Sequence, residues 1–545
     1  YLGENIMRNV QILDCTLRDG GRIIDCRFDN SVIKNITREL TDSSIDIVEI
    51  GFLRSHNLVE YNGNSTFFTE VPQIADFLPK QNKVRTMYVA FIDFNMYDFD
   101  LLEKCDGESI TGIRVGFTKK QFDSQIEEIK EALFKVKKQG YKLFVQSVNS
   151  LAYSDKELLE LVELINEIEP YSFGIVDTYG AMYLDDITHY YNLVDYNLNK
   201  NICIDIHSHN NFQSSFAFAQ EIVRLAGERR KIILDATLNG MGKCAGNLNT
   251  ELIVDYLNRK KNYDYDLDKV LDTIDRYLEQ IKQEKKWGYS IPAFMAGIYK
   301  SHPNNIIYLT NKYRLNNKDI KYIISSIDEN TRQRYDYDNI QRIYREYNQN
   351  RFDDRESKNK LVENFKGKEI LILVPGKTIK THEKLIGSYI KENNPLVISV
   401  NFVPEHFECN YYFYANPIHW GKVCNDVIRE KCIIVSNIHD NVDKAIIVDY
   451  SSLIIEESIL YDNSTMLLLN LLKKCKVSSI SLAGFDGLKG EKDNYVNNSF
   501  PNTNGRLSVE DTNKEVKKLY QSFKDKVEGK INVKIITPSL YEKGE

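Results

Sequence analysis

Short apolar runs alternate with longer amphipathic ones along residues 9–260. The runs at 9–15, 45–51, 84–92, 111–117, 142–148, 172–177, 202–208 and 231–236 have the length and β-branched content of buried strands. Between them, apolar residues recur at helical spacing, most clearly at 119–139, 154–168 and 213–227. A strand followed by a helix, eight times in roughly 250 residues, predicts an α/β fold of the (β/α)8 TIM-barrel type. An open doubly wound sheet would not need eight repeats. Its first strand-to-helix turn usually carries GxGxxG, which is absent here.

From about 262 to 360 the pattern is helical and highly charged, and the Tyr-, Asp- and Arg-rich piece 331–360 reads as a surface helix plus linker. A second strand-and-helix pattern follows, with strands expected at 367–376, 395–402, 432–438, 444–450 and 477–486 and a helix at 463–475. Buried runs separated by helices predict a smaller Rossmann-like α/β domain. The expected division is a barrel over 8–300, a helical segment and linker over 301–365, and the second α/β domain over 366–545.

Composition adds bounds. The chain has 545 residues, 42% hydrophobic and 27% charged, which is ordinary for a soluble globular protein of more than one domain. A net charge of −7 argues against a nucleic-acid polymer as partner. No apolar run reaches the length of a membrane span and no signal-peptide pattern is seen, so a cytoplasmic protein is expected. The nine cysteines include no CxxC pair and fit reduced thiols.

Candidate chemistry gathers at the strand ends. In "CIDIHSHNNF" (203–212), strand alternation puts Ile202, Ile204 and Ile206 on one face and Asp205, His207 and His209 on the other. Two imidazoles at i, i+2 on a strand end can share a divalent cation if a carboxylate completes the set. Asp19, in "LDCTLRDGG" at the end of the first strand, is such a carboxylate, and Arg18 precedes it. Glu49 ends the second strand, Asp177 the sixth, and "DATLNGMGKCAGN" with Asn239 and Asn247 follows the eighth. For the last three, turn and helix-capping duties are the alternative, with Asn247 opening the next helix as its N-cap. The C-terminal ends of barrel strands are where such folds keep their chemistry.

Taken in order and spacing, "LDCTLRDGG", "VEIGF", "VDTYG", "HSHNN" and "LNGMGKCAGN" resemble the metal-dependent aldolase and lyase superfamily of 3-hydroxy-3-methylglutaryl-CoA lyase and 4-hydroxy-2-oxovalerate aldolase. The resemblance covers about residues 8–300. It implies Mn²⁺ or Mg²⁺ held by Asp19, His207 and His209, with Asn247 as a further ligand. It also implies an enolate stabilised by Arg18, with Glu49 supporting the site. Asp177, Asn239 and Asn247 are expected to contact substrate, a 2-oxo acid with an aldehyde, and a homo-oligomer is expected. Two departures stand out. Where the hydroxy-oxo-acid aldolases have a histidine base, this chain has Arg22, which leaves another group, a metal-bound water or the substrate as proton acceptor; Tyr289, taken as catalytic, and His302 are the candidate groups. Claisen-type relatives such as isopropylmalate synthase read "RDGEQ", and Gly20-Gly21 lacks that acid. Aldolase or lyase chemistry is therefore expected over acetyl-CoA condensation, which stays as an alternative. Cys244 reads as an inert buried thiol.

In the second domain, Gly376-Lys377-Thr378 looks like the end of a phosphate loop, but the required first glycine falls at Leu371, which excludes a Walker A motif. "VISVNF" and "SSISLAGFD" distantly resemble Rossmann-like domains of bacterial glycan-assembly proteins, where such a turn and a Gly-Phe-Asp such as the one ending in Asp486 flank a nucleotide. That resemblance implies a nucleotide or nucleotide-sugar partner, a role in surface-polysaccharide precursor synthesis and, as a further alternative, an assembly protein whose barrel has lost catalysis.

Overall fold

Eight of the apolar runs are the staves of one closed parallel sheet. They are β1 (Val10–Asp14), β2 (Ile47–Leu53), β3 (Met87–Asp93), β4 (Gly112–Thr118), β5 (Lys142–Val148), β6 (Ser172–Asp177), β7 (Cys203–Ser208) and β8 (Ile232–Ala236). Each pairs with its sequence neighbour, and β1 pairs with both β8 and β2, which closes the barrel. A two-residue strand, Phe67–Phe68, adds to β2 from outside. The computed structural model describes residues 8–80, 85–310, 317–335, 337–348, 352–421, 426–438, 444–455, 458–490, 494–496 and 507–542.

Alternation along the staves sorts the core into two parts. Outward residues such as Ile12, Val48, Ile113, Val145, Ile175, Ile204 and Ile206 bury against the apolar stripes of the surrounding helices, for example Ile33, Ile36 and Leu40 of Asn30–Asp42. Inward residues Leu13, Cys15, Ile47, Val89, Phe144, Cys203 and Ile233 make a separate apolar cluster that plugs the barrel. Each fully buried aliphatic side chain contributes on the order of 1.5–3 kcal/mol. Helix starts follow local chemistry. Glu157 accepts from the Ser154 amide at 2.8 Å while its own amide donates back to the Ser154 hydroxyl, a capping box that opens Asp155–Ile168.

The single helix expected at 119–139 is two, Lys119–Ser124 and Ile126–Lys138, broken where Gln125 leaves helical geometry (φ −141°, ψ 35°). Phe122 stacks on Phe117 at the end of β4, so the first piece is anchored there and the chain is re-aimed before the second. The helix expected to open at Asn247 begins at Thr250 with Asn249 in the N-cap position, so Asn247 is free for another role.

The chain forms two compact units. The first comprises residues up to Ile307 together with Asp328–Tyr335; the second comprises Tyr308–Ile327 and Asp336 onward. The charged stretch 301–365 is thus shared between them, and within it the helix Tyr337–Asn348 buries Ile340 and Tyr344. The second unit contains a fully parallel seven-stranded sheet: β9 (Glu369–Leu373), β10 (Leu396–Val400), β11 (Tyr411–Tyr414), β12 (Cys432–Val435), β13 (Ile446–Val448), β14 (Ser479–Ala483) and β15 (Asn532–Ile535), in the order β13-β12-β11-β10-β9-β14-β15. Five of these strands were expected. β11 and β15 were not, because Tyr411–Tyr414 is wholly aromatic and Asn532–Ile535 alternates polar with apolar, so neither reads as an aliphatic run. No helix among the described residues is long and apolar enough to cross a membrane.

Arg230, fully buried, ties the start of β7 to the end of helix Leu184–Asn197. Its guanidinium donates to the Asp195 carboxylate (2.6 Å) and to the carbonyls of Asp195, Leu198, Asn199 and Ile202. Removing it takes the donor from the buried carbonyls of Leu198 and Ile202, while Lys200 still serves Asp195. Arg230→Met is expected to lower the stability of the barrel's unfolding transition by about 2–4 kcal/mol, measured by urea denaturation followed at a barrel-specific probe.

Candidate active site

Above the apolar plug, the next inward step is polar on five of the eight staves. Ile47 is followed by Glu49, Gly112 by Arg114, Phe144 by Gln146, Cys203 by Asp205 and Ile233 by Asp235, because side chains two apart share a face. Arg114 lies at the centre and is wholly buried. It reaches Glu49 (3.2 Å), Asp205 (3.1 Å) and Asp235 (2.5 Å). Gln146 donates to Asp205 at 2.6 Å. Gly174, opposite it, has no room for a side chain, since a Cβ there would sit 2.2 Å from the Gln146 amide oxygen. Burial, and then neighbouring Asp235, push the Asp205 carboxyl well above its usual range. Burial acts on Asp235 as well, but Arg114 and His207 outweigh it and bring Asp235 down to about 2.

One step higher, at the mouth, this layer positions two groups. Glu49 accepts from Arg18 Nε at 2.6 Å, and Arg18 Nη1 donates to Asp19 at 2.7 Å. Burial works against the Arg18 charge, yet Glu49 and Asp19 hold its pKa above the ordinary arginine value. Asp235 bonds His207 Nδ1 at 2.9 Å, so the Nε2 edge of His207 faces the mouth. There Asp19 Oδ2 lies 3.9 Å from His207 Nε2 and 3.7 Å from His209 Nε2. One ligand atom from each of Asp19, His207 and His209 falls within 4.8 Å of the other two, the spacing of groups that could hold a metal ion. Burial brings His209 down to about 4 even beside Asp19, which keeps its imidazole neutral and its lone pair available. Burial would raise Asp19, but Arg18, then His209 and His207, hold it well below the usual carboxylate range.

Asn247 joins this set. Its Nδ2 donates to Asp19 Oδ2 and to the Met241 carbonyl, both at 3.1 Å, while its buried Oδ1 has no hydrogen-bond partner. A Cβ at Gly242 would come 2.6 Å from that amide nitrogen, so the glycine makes room for it. The donor set fits a hard divalent cation: one carboxylate, two imidazoles and an amide oxygen otherwise left unsatisfied. A second triad, Cys15, His207 and Asp235, is also close enough for a metal, but burial raises the Cys15 thiol well above its ordinary value and disfavours the thiolate.

The other expected residues are placed differently. Both Asp177 carboxylate oxygens accept backbone amides, from Ala181 (2.8 Å) and Met182 (3.1 Å), and burial pushes its pKa up to about 6. Asn239 points its amide to Glu279 and Lys282, and its carbonyl accepts from the Trp287 indole at 2.8 Å, which ties the loop to the following helices. Tyr289 is 58% exposed. His302 Nδ1 accepts from the Asn304 amide at 3.1 Å, and burial, then Lys243 and Arg22, bring its pKa down to about 3. Burial raises the Cys244 thiol to about 12. Sequence reasoning missed Arg114, Gln146 and Asp235. The available signal was parity, since each stands two residues beyond an inward position of a predicted strand.

In the second unit, the order of the sheet reverses at β9, whose neighbours are β10 and β14. A cavity of about 200 Å³ lies there, lined by Gly376, Asn401, Ser464, Asp486 and Thr512 among others. Asp486 accepts from the Thr378 amide at 2.8 Å and from its hydroxyl.

The barrel region has counterparts among known proteins. The HMGL-like family model matches residues 9–276. A 4-hydroxy-2-oxovalerate aldolase of Moorella thermoacetica is 23% identical over 319 residues, 57% of this chain and 90% of the relative. A 2-isopropylmalate synthase of Sulfolobus acidocaldarius is 24% identical over 297 residues, 53% of this chain and 71% of the relative. Among solved structures, the HMG-CoA lyase of Brucella melitensis aligns with a TM-score of 0.41 at 14% identity, covering 50% of this chain and 99% of the lyase. Residues 9–276, just under half of the chain, are an HMGL-like domain.

Proposed function

We propose that the barrel is a divalent-metal-dependent aldolase or lyase that makes or breaks a carbon–carbon bond beside the carbonyl of a 2-oxo acid, through an enolate. The observation that carries this reading is the convergence of Asp19, His207 and His209 on one point with Arg18 fixed beside them. Asp19, His207, His209 and Asn247 would hold Mn²⁺ or Mg²⁺. When bound, such a cation supplies Lewis acidity toward a carbonyl oxygen. Arg18, held by Glu49 and Asp19, keeps a permanent positive charge where negative charge develops on the enolate oxygen, with little reorganisation needed. Asp235 fixes the ring orientation and tautomer of His207, and Arg114 in turn holds Asp235.

Relatives include both aldolases and isopropylmalate synthases. One feature favours the aldolase or lyase reading. A Cβ at Gly21 would lie 2.9 Å from the Phe28 ring, so the acid of the "RDGEQ" pattern has no place here. For the second unit, the cavity at the strand-order reversal supports a nucleotide or nucleotide-sugar, since ligands of open α/β sheets bind at such points. A role in surface-polysaccharide precursor synthesis would follow from that ligand.

Metal-stripped protein reloaded with Mn²⁺ or Mg²⁺ is expected to exchange deuterium into the methyl group of pyruvate or a related 2-oxo acid. The rate, followed by NMR, should fall about a hundredfold or more in His207→Ala and in Arg18→Ala. Stoichiometric metal binding without exchange for any acid tested would refute the enolate reading. Asp235→Asn is expected to weaken metal affinity by about 10–100-fold, read by competition with a chromogenic chelator; unchanged affinity would remove its positioning role. Calorimetry of the full chain with CMP- and UDP-sugars checks the second unit, and binding should be lost in Asp486→Ala.

A further inference from the structure

Two guanidinium groups crowd together at the barrel mouth, and the ammonium of Lys243, on a third loop, feels the charge of Arg22; all three are short of counter-charge. Arg22 sits on the turn after β1, Arg54 directly follows β2, and Lys243 lies on the loop after β8. Arg22 and Arg54 share one carboxylate: Asp93 Oδ2 is 3.5 Å from Arg22 Nη2 and also bonds Arg54 Nη2. The two guanidinium carbons lie 4.6 and 4.7 Å from the centre of the same Phe52 ring, so like charges are crowded together. Arg54 is buried, and its Nε and Nη1 have no hydrogen-bond partner. Arg22 also comes within 3.5 Å of Asp19, which places the cluster beside the candidate metal ligands.

Lys243 is more deprived still. Its ammonium makes one long hydrogen bond, 3.4 Å to Asn304 Oδ1, and has no carboxylate within ion-pair distance among the described residues. Burial pushes its pKa down and Arg22 adds to the effect, with Asp19 and Asp25 opposing. His302 records the same positive surroundings in its own depressed value. A desolvated cation without a partner is unfavourable, and a site that gathers three of them is suited to an anion from outside.

We propose that Arg22, Lys243 and Arg54 form an anion subsite beside the metal set, which takes a second negative group, carboxylate or phosphate, on the substrate. Substrates of the barrel then carry at least two anionic ends: the 2-oxo acid at Arg18 and Asp19, and a distal group at Lys243 and Arg22. Arg54, stacked on Phe52 and Phe67, raises the local positive potential and engages the Asp93 carboxylate that Arg22 would otherwise have to itself. This inference deepens the proposed function and rests on it for the identity of the first anionic end.

The test is calorimetric titration of the metal-loaded full chain with inorganic phosphate and, separately, with succinate. Saturable binding of at least one is expected, weakened about tenfold or more in Lys243→Met and in the part-exposed Arg22→Gln, each checked for folding by thermal unfolding. The exposed Lys260→Met is the control and should bind as the parent does. Phosphate binding alone identifies a phosphorylated substrate, succinate alone a dicarboxylate, and both a site that reads charge. Binding of neither, equal affinity in both variants, or binding that disappears once the metal is removed by chelation would overturn the proposal. Pyruvate has no distal anion, so its deuterium exchange reports the metal site alone. Anion binding without exchange would therefore refute the enolate reading while leaving the subsite standing.

Discussion

The charge of Arg114 inside the barrel is the constraint around which the site is arranged. A guanidinium in so dry a place is tolerable only if carboxylates surround it, and Glu49, Asp205 and Asp235 do so from three other staves. Two of those carboxylates have second duties. Glu49 passes the restraint upward to Arg18, and Asp235 passes it to His207. The buried layer therefore fixes the direction of the two groups most needed at the mouth. It lies directly above the apolar plug of Leu13, Ile47, Val89, Phe144, Cys203 and Ile233, which keeps water from below and so strengthens each ion pair.

The same layer reaches the candidate metal ligands at the mouth, where Arg18 bridges Glu49 and Asp19 and Arg22 comes within 3.5 Å of Asp19. The imidazoles of His207 and His209 and the free oxygen of Asn247 gather around Asp19. Nearby the balance is opposite, because Arg22 and Arg54 share Asp93 and Lys243 has only the Asn304 amide oxygen. The proposed anion subsite would thus lie beside the residues that could hold a metal. In the second unit too, loops meet at the C-terminal ends of parallel strands, where the reversal of strand order leaves a cavity.

Much of the fold was legible because a parallel strand buried on both faces must be a continuous apolar run, whatever its neighbours are. All eight staves were readable on that ground, and so were five strands of the second sheet. The His207–His209 pair was legible for a related reason: the period of two places both on the inward face once Ile204 and Ile206 are assigned outward. Where local pattern and packing competed, packing prevailed. The helical periodicity through Gln125 yielded to the anchoring of Phe122 on Phe117, and Asn247 was turned from the helix start toward Asp19 while Asn249 took the N-cap position.

Arg114, Gln146 and Asp235 mark the limit of a linear reading. In "GIRVGF", "FVQSV" and "ILDAT" each is one polar residue in an apolar strand, and nothing along the chain says that the three are neighbours. Asp177 and Asn239 show the converse, since strand-end position suggested substrate while nearby backbone amides and the Glu279–Lys282 pair claimed their side chains. The sequence by itself determined which residues lie in strands, which face of each strand is polar and which ligand types are available at the barrel mouth. Only the tertiary structure decided which charges meet and which remain unpaired, because ion pairing depends on distances across the barrel, between residues as far apart in sequence as Arg114 and Asp235.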